Sequence, residues 1–254
     1  MNVSKMKFKI IGKGKPIVMI HGWAMNYEVF MPFIDQMDKE KFKFILFNVP
    51  KLNSTVTWND ALEEIKKNLL ELELKEFDLL GWSLGGHIAL DLYQFLKSSI
   101  KKIFLVSSTP KFIKGPDWEF AIDEKIFNSF AESIKNNTEN TLYRFFNLQL
   151  LGQSKRKELI DFLMQTVKKD KADPVSLDLY LSSMRVNFYL DFIFDALEKI
   201  YLIAGAKDKI VPIEAQYQIC KKSKNKHLIL NDASHIPFLT HINECKFYME
   251  SVYE

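Results

Sequence analysis

One short motif limits what this chain can fold into, and it reads Gly81-Trp82-Ser83-Leu84-Gly85-Gly86. It lies between an apolar run at residues 77–80 and a helix-like stretch at residues 86–97. A strand that leads through a glycine-flanked serine into a helix is typical of the strained turn known as a nucleophile elbow. Glycine is needed on both sides because neighbouring backbone segments approach the turn closely. The motif therefore predicts Ser83 as a nucleophile, and a serine in a purely structural turn is the alternative.

A second loop, His21-Gly22-Trp23, follows an early apolar strand. Enzymes with a nucleophile elbow take one oxyanion donor from the residue after the serine and the other from a loop of this kind. The first N–H groups of a helix have no partner within it, so the amide that follows the serine is free to donate. We therefore expect the backbone N–H groups of Trp23 and Leu84 to form an oxyanion hole. We expect His21 to fix the loop by hydrogen bonding rather than to transfer protons.

A serine nucleophile also needs a base and a carboxylate that orients the base. Asp208 and His235 each follow a late apolar strand, so the chain order is Ser, Asp, His. That order is the one expected after a nucleophile elbow, and strand ends of a parallel sheet converge at one edge. We therefore predict a catalytic triad of Ser83, Asp208 and His235. Asp232 is a rival carboxylate, but it follows the same strand as His235.

Length and composition allow one α/β domain with an insertion. The 254 residues are 47% hydrophobic and 26% charged, as in ordinary globular proteins. The net charge of +3 does not by itself indicate nucleic-acid binding. The N-terminal stretch lacks the apolar core of a signal peptide, and no window is long and apolar enough to span a membrane. We therefore expect a cytoplasmic monomer that binds neither nucleic acid nor a membrane.

Two cysteines, Cys220 and Cys245, lie in helix-like segments without the spacing of metal ligands. We expect them to be buried free thiols, and the sequence contains no candidate metal site.

Strand-like and helix-like segments alternate along most of the chain, which predicts an α/β fold with a mostly parallel, doubly wound sheet. Between residues 111 and 187 this rhythm is replaced by helical periodicity alone. We expect residues 1–110 and 188–254 to form the core, and residues 111–187 to form a helical cap over the active site. A helical elaboration without a role in binding is the alternative. The four helices predicted in the cap cover residues 119–135, 139–150, 155–168 and 174–184.

Several segments together resemble one family of enzymes, the pimeloyl-acyl carrier protein methyl ester esterases of biotin synthesis (BioH-like), which are α/β-hydrolases. The resemblance covers nearly the whole chain, including the cap, and Asp208 with Val211-Pro212 is part of it. The elbow and the cap segment Arg144-Phe145-Phe146-Asn147-Leu148-Gln149 are its most specific motifs. The other matching segments are His21-Gly22-Trp23, Ser107-Ser108-Thr109-Pro110-Lys111-Phe112, Gly152 and Ala233-Ser234-His235-Ile236-Pro237-Phe238.

The resemblance implies an α/β-hydrolase fold and an enzyme that cleaves the methyl ester of pimeloyl-acyl carrier protein. By this likeness Ser83 attacks the ester carbonyl, His235 is the general base and Asp208 orients it. No metal or organic cofactor is required. The residues expected to contact the substrate are Trp23, Leu84, Phe145, Phe146, Asn147, Leu148, Gln149 and His235.

The resemblance also implies an acidic partner, the acyl carrier protein that bears the pimeloyl methyl ester. We expect it to dock on Arg144, Arg156 and Lys157. Two positions depart from the family, because Asn140 and Asp161 stand where the family has arginines. The loop at residues 48–54 also lacks the glycines that such hydrolases usually carry there. The basic residues of the cap are Arg144, Lys155, Arg156, Lys157, Lys168, Lys169 and Lys171.

Two other functions remain open from the sequence. A broad carboxylesterase or thioesterase acting on short acyl groups would use the same catalytic residues. A non-catalytic binding protein on a hydrolase scaffold would tolerate the loss of catalytic residues, whereas all of them are present here.

Overall fold

A seven-stranded sheet forms the centre of the protein in a computed structural model that describes residues 8–170, 173–221 and 227–254. Among the described strands only the edge strand β1 is antiparallel to its neighbour, β3, and the other pairs are parallel. The prediction of a mostly parallel sheet is therefore confirmed. In the order β1-β3-β2-β4-β5-β6-β7, the strands are β1 (Phe8–Gly12), β3 (Phe42–Phe47), β2 (Lys15–Ile20), β4 (Phe77–Trp82), β5 (Ile100–Val106), β6 (Ile200–Gly205) and β7 (His227–Leu230).

The middle strands are buried along their length because helices cover the sheet. All six residues of β4 are buried, and it carries the chain directly into α3 (Leu84–Leu96), which packs on β2, β4 and β5. Helix α2 begins at a capping box in which Thr57 and Asp60 satisfy each other's backbone N–H groups. The remaining helices of the core are α1 (Met31–Ile34), α2 (Trp58–Glu71), α8 (Leu190–Asp195), α9 (Ile213–Cys220), α10 (Pro237–Thr240) and α11 (Ile242–Ser251).

Four helices lie between β5 and α8 in the chain: α4 (Glu124–Asn136), α5 (Thr138–Gln149), α6 (Arg156–Asp170) and α7 (Pro174–Val186). Helix α4 contacts α5 and α7, and α5 contacts α6. The prediction that the first of them starts at residue 119 was wrong. Ile122 N donates to Phe112 O (3.0 Å) and Lys114 N to Ile122 O (2.9 Å), so residues 112–122 form a loop that is closed by isolated β-bridges instead.

The helical insertion contacts the loop that follows β2. Trp23 Nε1 donates to Leu177 O (3.0 Å), and Asn26 Nδ2 donates to Thr166 O (2.7 Å). At the base of the insertion, Tyr189 N donates to Pro110 O (2.9 Å). This bond supports our proposal that residues 111–187 are a cap and that the flanking parts, 1–110 and 188–254, are the core.

Within the ranges that the structure describes, no helix combines the length and the apolar character needed to cross a membrane.

Candidate active site

Ser83 occupies a strained turn between β4 and α3. Its φ of 54° and ψ of −118° lie in a region that residues with a side chain rarely adopt, at a cost of roughly 1–3 kcal/mol. Hydrogen bonds on both sides hold this conformation: Ser83 N donates to Val106 O (2.9 Å), and Ser83 O accepts from Ser108 Oγ (2.9 Å). The turn directs the Ser83 side chain towards a cavity between the core and the helical insertion, which Ser83 helps to line.

The glycines of the motif are required by backbone contacts. A Cβ atom at Gly81 would lie 2.3 Å from Gly85 O, and one at Gly85 would lie 2.2 Å from Ile20 O and 2.8 Å from His21 O. These partners are main-chain atoms, so they cannot move aside as a flexible side chain could. The close approach brings the first turn of α3 against the loop that contains His21, Gly22 and Trp23.

The structure brings His235 and Asp208 together at the carboxyl ends of β7 and β6. His235 Nδ1 lies 2.7 Å from Asp208 Oδ2, while Asp208 Oδ1 accepts from Ile210 N (2.7 Å) and Val211 N (3.0 Å). This arrangement favours the tautomer in which Nδ1 carries the proton and Nε2 can accept one. His235 is fully buried, and its Nε2 has no hydrogen-bond partner within the described ranges. The rival carboxylate, Asp232, instead pairs with Lys207 (2.7 Å).

Two further residues hold the backbone of His235, and the sequence did not identify them in that role. Trp82 Nε1 donates to His235 O (3.0 Å), and the Trp82 and His235 ring centroids are 5.8 Å apart. Gln149 O, at the end of α5, accepts from His235 N (3.1 Å). The elbow pattern leaves the residue before the serine unspecified, so only the resemblance of the whole motif singled out Trp82.

His21 has the structural role that its position suggested. Its Nδ1 donates to Gly22 O (2.9 Å), and its Nε2 accepts from Val49 N (3.0 Å). Burial lowers the pKa of His21 to about 4, so the ring is neutral at physiological pH. Both ring nitrogens are therefore used to join the loop after β2 to the loop after β3.

The two candidate oxyanion donors lie on the segments that the glycines bring into contact. Leu84 is the first residue of α3, and Trp23 follows Gly22 in the loop after β2. Among the described residues, neither backbone N–H has a hydrogen-bond partner. Both are therefore available to donate to a charge that develops beside Ser83.

The cavity over Ser83 has a volume of about 330 Å³, at the small end of the range for ligand sites. Apolar side chains of α4, α5 and α7 contribute seven of its 17 lining residues. The rings of Trp23, Phe130 and Phe145 form a cluster there, with centroids 5.2 to 5.4 Å apart.

The residues of the predicted acyl-pocket segment, 145–149, lie on different faces of α5, and only some of them line the cavity. Phe145 and Leu148, which are three residues apart, line the cavity. Phe146, Asn147 and Gln149 are not among its lining residues. Phe146 is fully buried in the core, Asn147 Nδ2 donates to Tyr143 O (2.9 Å), and Gln149 is buried next to His235.

The predicted docking residues differ from one another in exposure and in hydrogen bonding. Arg144 and Lys157 are exposed, as is Lys155, and none has an ion-pair partner in the described part of the chain. Arg156 is half-buried and donates from Nη2 to Asn147 O (3.1 Å), which satisfies a carbonyl at the end of α5. Of the other basic residues, Lys168 pairs with Glu139 and Lys169 with Glu28. Lys171 lies outside the described residues.

No group of three or more His, Cys, Asp or Glu side chains in the described ranges is arranged to hold a metal ion. Cys220 and Cys245 are both free thiols; Cys245 is buried, whereas Cys220 is half-buried.

Comparisons with known proteins identify the family of this chain. Residues 15–242 match a family model described as the alpha/beta hydrolase fold. The pimeloyl-acyl carrier protein methyl ester esterase of Wigglesworthia glossinidia brevipalpis is 32% identical over 245 residues, which is 92% of each chain. The enzyme of the same name from Legionella pneumophila (strain Paris) is 30% identical over 233 residues, or 91% of each chain.

Solved structures show the same fold at lower identity. An esterase from Exiguobacterium antarcticum has a TM-score of 0.83 at 20% identity, and the match covers 98% of this chain and 94% of the other. A bromoperoxidase from Bacillus anthracis has a TM-score of 0.84 at 19% identity, with 98% and 95% covered. The sheet, the elbow and these relatives together identify the family: the chain belongs to the α/β-hydrolases and, within them, to the pimeloyl-acyl carrier protein methyl ester esterases.

Proposed function

We propose that this chain is a serine esterase that hydrolyses the methyl ester of a pimeloyl group held by an acyl carrier protein, releasing methanol and a carboxylate. One observation carries the proposal. The strained Ser83 lines an apolar cavity, and the buried His235–Asp208 pair lies at the same edge of the sheet as Ser83. The names of relatives at 30 and 32% identity support this substrate over other esters.

In the proposed mechanism, Ser83 Oγ attacks the ester carbonyl while His235 Nε2 accepts its proton. Asp208 stabilises the resulting imidazolium through Nδ1, and the N–H groups of Trp23 and Leu84 stabilise the oxyanion. When the tetrahedral intermediate collapses, His235 returns the proton to the departing methoxide, and methanol leaves. Water activated by His235 then attacks the acyl-enzyme, releasing the carboxylic acid and restoring Ser83. Catalytic hydrogen bonds are often long before the substrate binds, which is consistent with the unpartnered Nε2.

The acyl chain is proposed to lie in the apolar cavity, against Phe145 and Leu148 of α5. In this interpretation residues 111–187 act as a cap that excludes water from the acyl-enzyme. The carrier protein is proposed to dock beside the cavity, on the exposed side chains of Arg144 and Lys157. Arg156 contributes less to docking, because its guanidinium is already engaged with Asn147 O.

A general carboxylesterase acting on short acyl groups is the second candidate. This candidate is favoured because Asn140 and Asp161 replace basic residues of the family at two positions of the proposed docking surface. An exposed carboxylate at position 161 would repel an acidic partner rather than attract it.

The test is a paired kinetic comparison of methyl pimeloyl-acyl carrier protein with a short p-nitrophenyl ester. We expect kcat/KM to be higher for the carrier-bound ester, and Ser83→Ala to lower kcat for both substrates by about 10⁴ or more. Ser154→Ala, on an exposed loop outside the cavity, is the matched control and should leave both rates unchanged. A preference for the small ester would favour the general carboxylesterase. Full activity in Ser83→Ala would contradict the mechanism itself.

A further inference from the structure

We propose that the cavity over Ser83 contains a binding site for an anionic group of the substrate, formed by Lys114 and Lys209. The proposal rests on the esterase function above and narrows its substrate class. The preferred esters carry a carboxylate or a phosphate at the far end of an apolar chain, away from the ester that reacts.

The charges that line the cavity support this site. Apart from Ser83, the lining of the cavity is apolar except for three charged residues, Lys114, Asp123 and Lys209. Asp123 is already engaged, because its Oδ1 accepts from Lys125 N (2.9 Å) and caps the positive end of α4. Among the described residues, neither Lys114 nor Lys209 has an ion-pair or hydrogen-bond partner for its ammonium group. The lining therefore carries two cations with no committed anion.

Two other lysines of the chain form ion pairs. Lys207, two residues before Lys209, pairs with Asp232 at 2.7 Å. Lys168 pairs with Glu139 at 3.1 Å on the cap. Lys114 and Lys209 are exposed residues that line the cavity and have no such partner among the described residues.

The backbone holds both lysines in defined positions. Lys114 lies in the bridged loop before α4, where its N–H donates to Ile122 O (2.9 Å) and the next residue, Gly115, donates to Trp118 O (3.0 Å). Lys209 lies between Asp208 and Ile210, and the Asp208 carboxylate accepts from Ile210 N (2.7 Å). Each flexible lysine side chain therefore starts from a fixed point at the cavity, so less conformational freedom is lost when an anion binds.

The lining also determines which ligand the site accepts. Phe130, Phe145 and Leu148 favour an uncharged chain, and an ammonium group binds either carboxylate or phosphate oxygens. The two possible anions are a phosphate on the group that carries the acyl chain and, for a chain that no carrier holds, a free carboxylate at its far end.

The test uses three methyl esters of one chain length. Dimethyl heptanedioate has a neutral far end, monomethyl heptanedioate has a carboxylate, and methyl 7-(phosphonooxy)heptanoate has a phosphate. We expect the wild-type kcat/KM to be about tenfold higher for at least one anionic ester than for the neutral one, as for a charge-assisted hydrogen bond. In the double variant Lys114→Gln/Lys209→Gln this ratio should fall to about one. The anionic ester with the larger ratio identifies the group that the site binds.

Lys125→Gln is the matched control, since it removes one positive charge from an exposed position on α4 that does not line the cavity. This variant should keep the wild-type ratio of kcat/KM between the anionic and the neutral esters. Three outcomes would each overturn the proposal. The wild type could show the same kcat/KM for all three esters, the double variant could keep the wild-type preference for an anionic ester, or Lys125→Gln could lose that preference to the same extent.

The neutral diester separates this proposal from the function on which it rests. Hydrolysis of dimethyl heptanedioate by the wild type but not by Ser83→Ala supports the esterase whatever the lysines do. If none of these free esters is hydrolysed, the comparison with methyl pimeloyl-acyl carrier protein described above decides the esterase function. Binding of monomethyl heptanedioate and of methyl 7-(phosphonooxy)heptanoate to Ser83→Ala by calorimetry then tests the site alone. Affinity that is weakened by the two lysine substitutions supports the site, and unchanged or absent affinity refutes it.

Discussion

Trp82 fills the unspecified position of the elbow and reaches the loop that carries His235. Its indole N–H donates to His235 O, 153 residues further along the chain, and its ring packs near the imidazole. The side chain before the candidate nucleophile therefore positions the candidate base. A fixed base matters because a displacement of about 1 Å between reacting groups can cost about 100-fold in rate.

At the residue scale we predict that Trp82→Phe lowers kcat about tenfold and leaves KM for a small ester nearly unchanged, because His235 O loses its donor. Steady-state kinetics on a p-nitrophenyl ester measures this. Trp118→Phe is the control, since Trp118 Nε1 also donates to a backbone oxygen, Phe120 O (3.1 Å), away from His235. An equal fall in kcat in both variants would show that Trp82 contributes only to packing.

The start of α3 joins the two halves of the candidate oxyanion hole. The first turn of this helix carries Leu84, and the absence of a side chain at Gly85 lets it contact the backbone of Ile20 and His21. The loop after β2 is held from its other side, because His21 bonds to Val49 N. These contacts explain why the elbow and the His21-Gly22-Trp23 loop occur together.

At the element scale, Gly85→Ala should lower the free energy of unfolding by about 3 kcal/mol, because the new Cβ would overlap a main-chain oxygen that cannot move aside. Urea denaturation measures this change. Gly115→Ala is the matched control: its Cβ would meet only the end of a flexible side chain, Lys111 Nζ, at 2.7 Å. We expect this variant to change stability by less than about 1 kcal/mol. Similar effects of the two substitutions would contradict the packing explanation.

Two buried histidines couple the stability of the whole molecule to pH. His87 on α3 donates to Thr109 O (2.8 Å) and lies between the rings of Phe112 and Tyr189, near both ends of the helical insertion. Burial lowers the pKa of both His21 and His87 to about 4. An unfolded chain protonates histidine near pH 6.5, so between about pH 6.5 and 4 the unfolded state binds more protons than the folded state. The stabilisation by each neutral histidine is therefore complete above pH 6.5 and is lost as the pH falls towards 4.

At the scale of the molecule, we predict that the wild type loses about 2 kcal/mol more unfolding free energy between pH 7 and pH 4.5 than His87→Phe does. Burial raises the pKa of Asp78 and Asp91, so these carboxyl groups act in the opposite direction. Because both proteins contain them, the difference between the two profiles isolates His87. Urea denaturation at each pH provides the measurement, and parallel profiles would contradict the prediction.

Local sequence patterns were sufficient to predict the fold class and the family. The alternation of strands and helices predicted the mostly parallel sheet, and the motifs predicted the resemblance to pimeloyl-acyl carrier protein methyl ester esterases; the structure and the comparisons confirm both. The roles of Ser83, Asp208 and His235 and the limits of the cap stay predictions. Helical periodicity failed at residues 119–123, because hydrogen bonds between Phe112, Lys114 and Ile122 hold that segment in a bridged loop.

The sequence by itself determined which residue types stand at the ends of which strands, because that information lies in short patterns along the chain. Only the tertiary structure decided which of them meet. Phe145 faces the cavity while its neighbour Phe146 is buried in the core, since this depends on which face of α5 packs against the sheet domain. In the same way, Arg156 is engaged by Asn147 O, and Lys114 and Lys209 share one cavity across 95 residues of chain. Contacts between distant segments depend on how whole elements pack, and no local pattern records that packing.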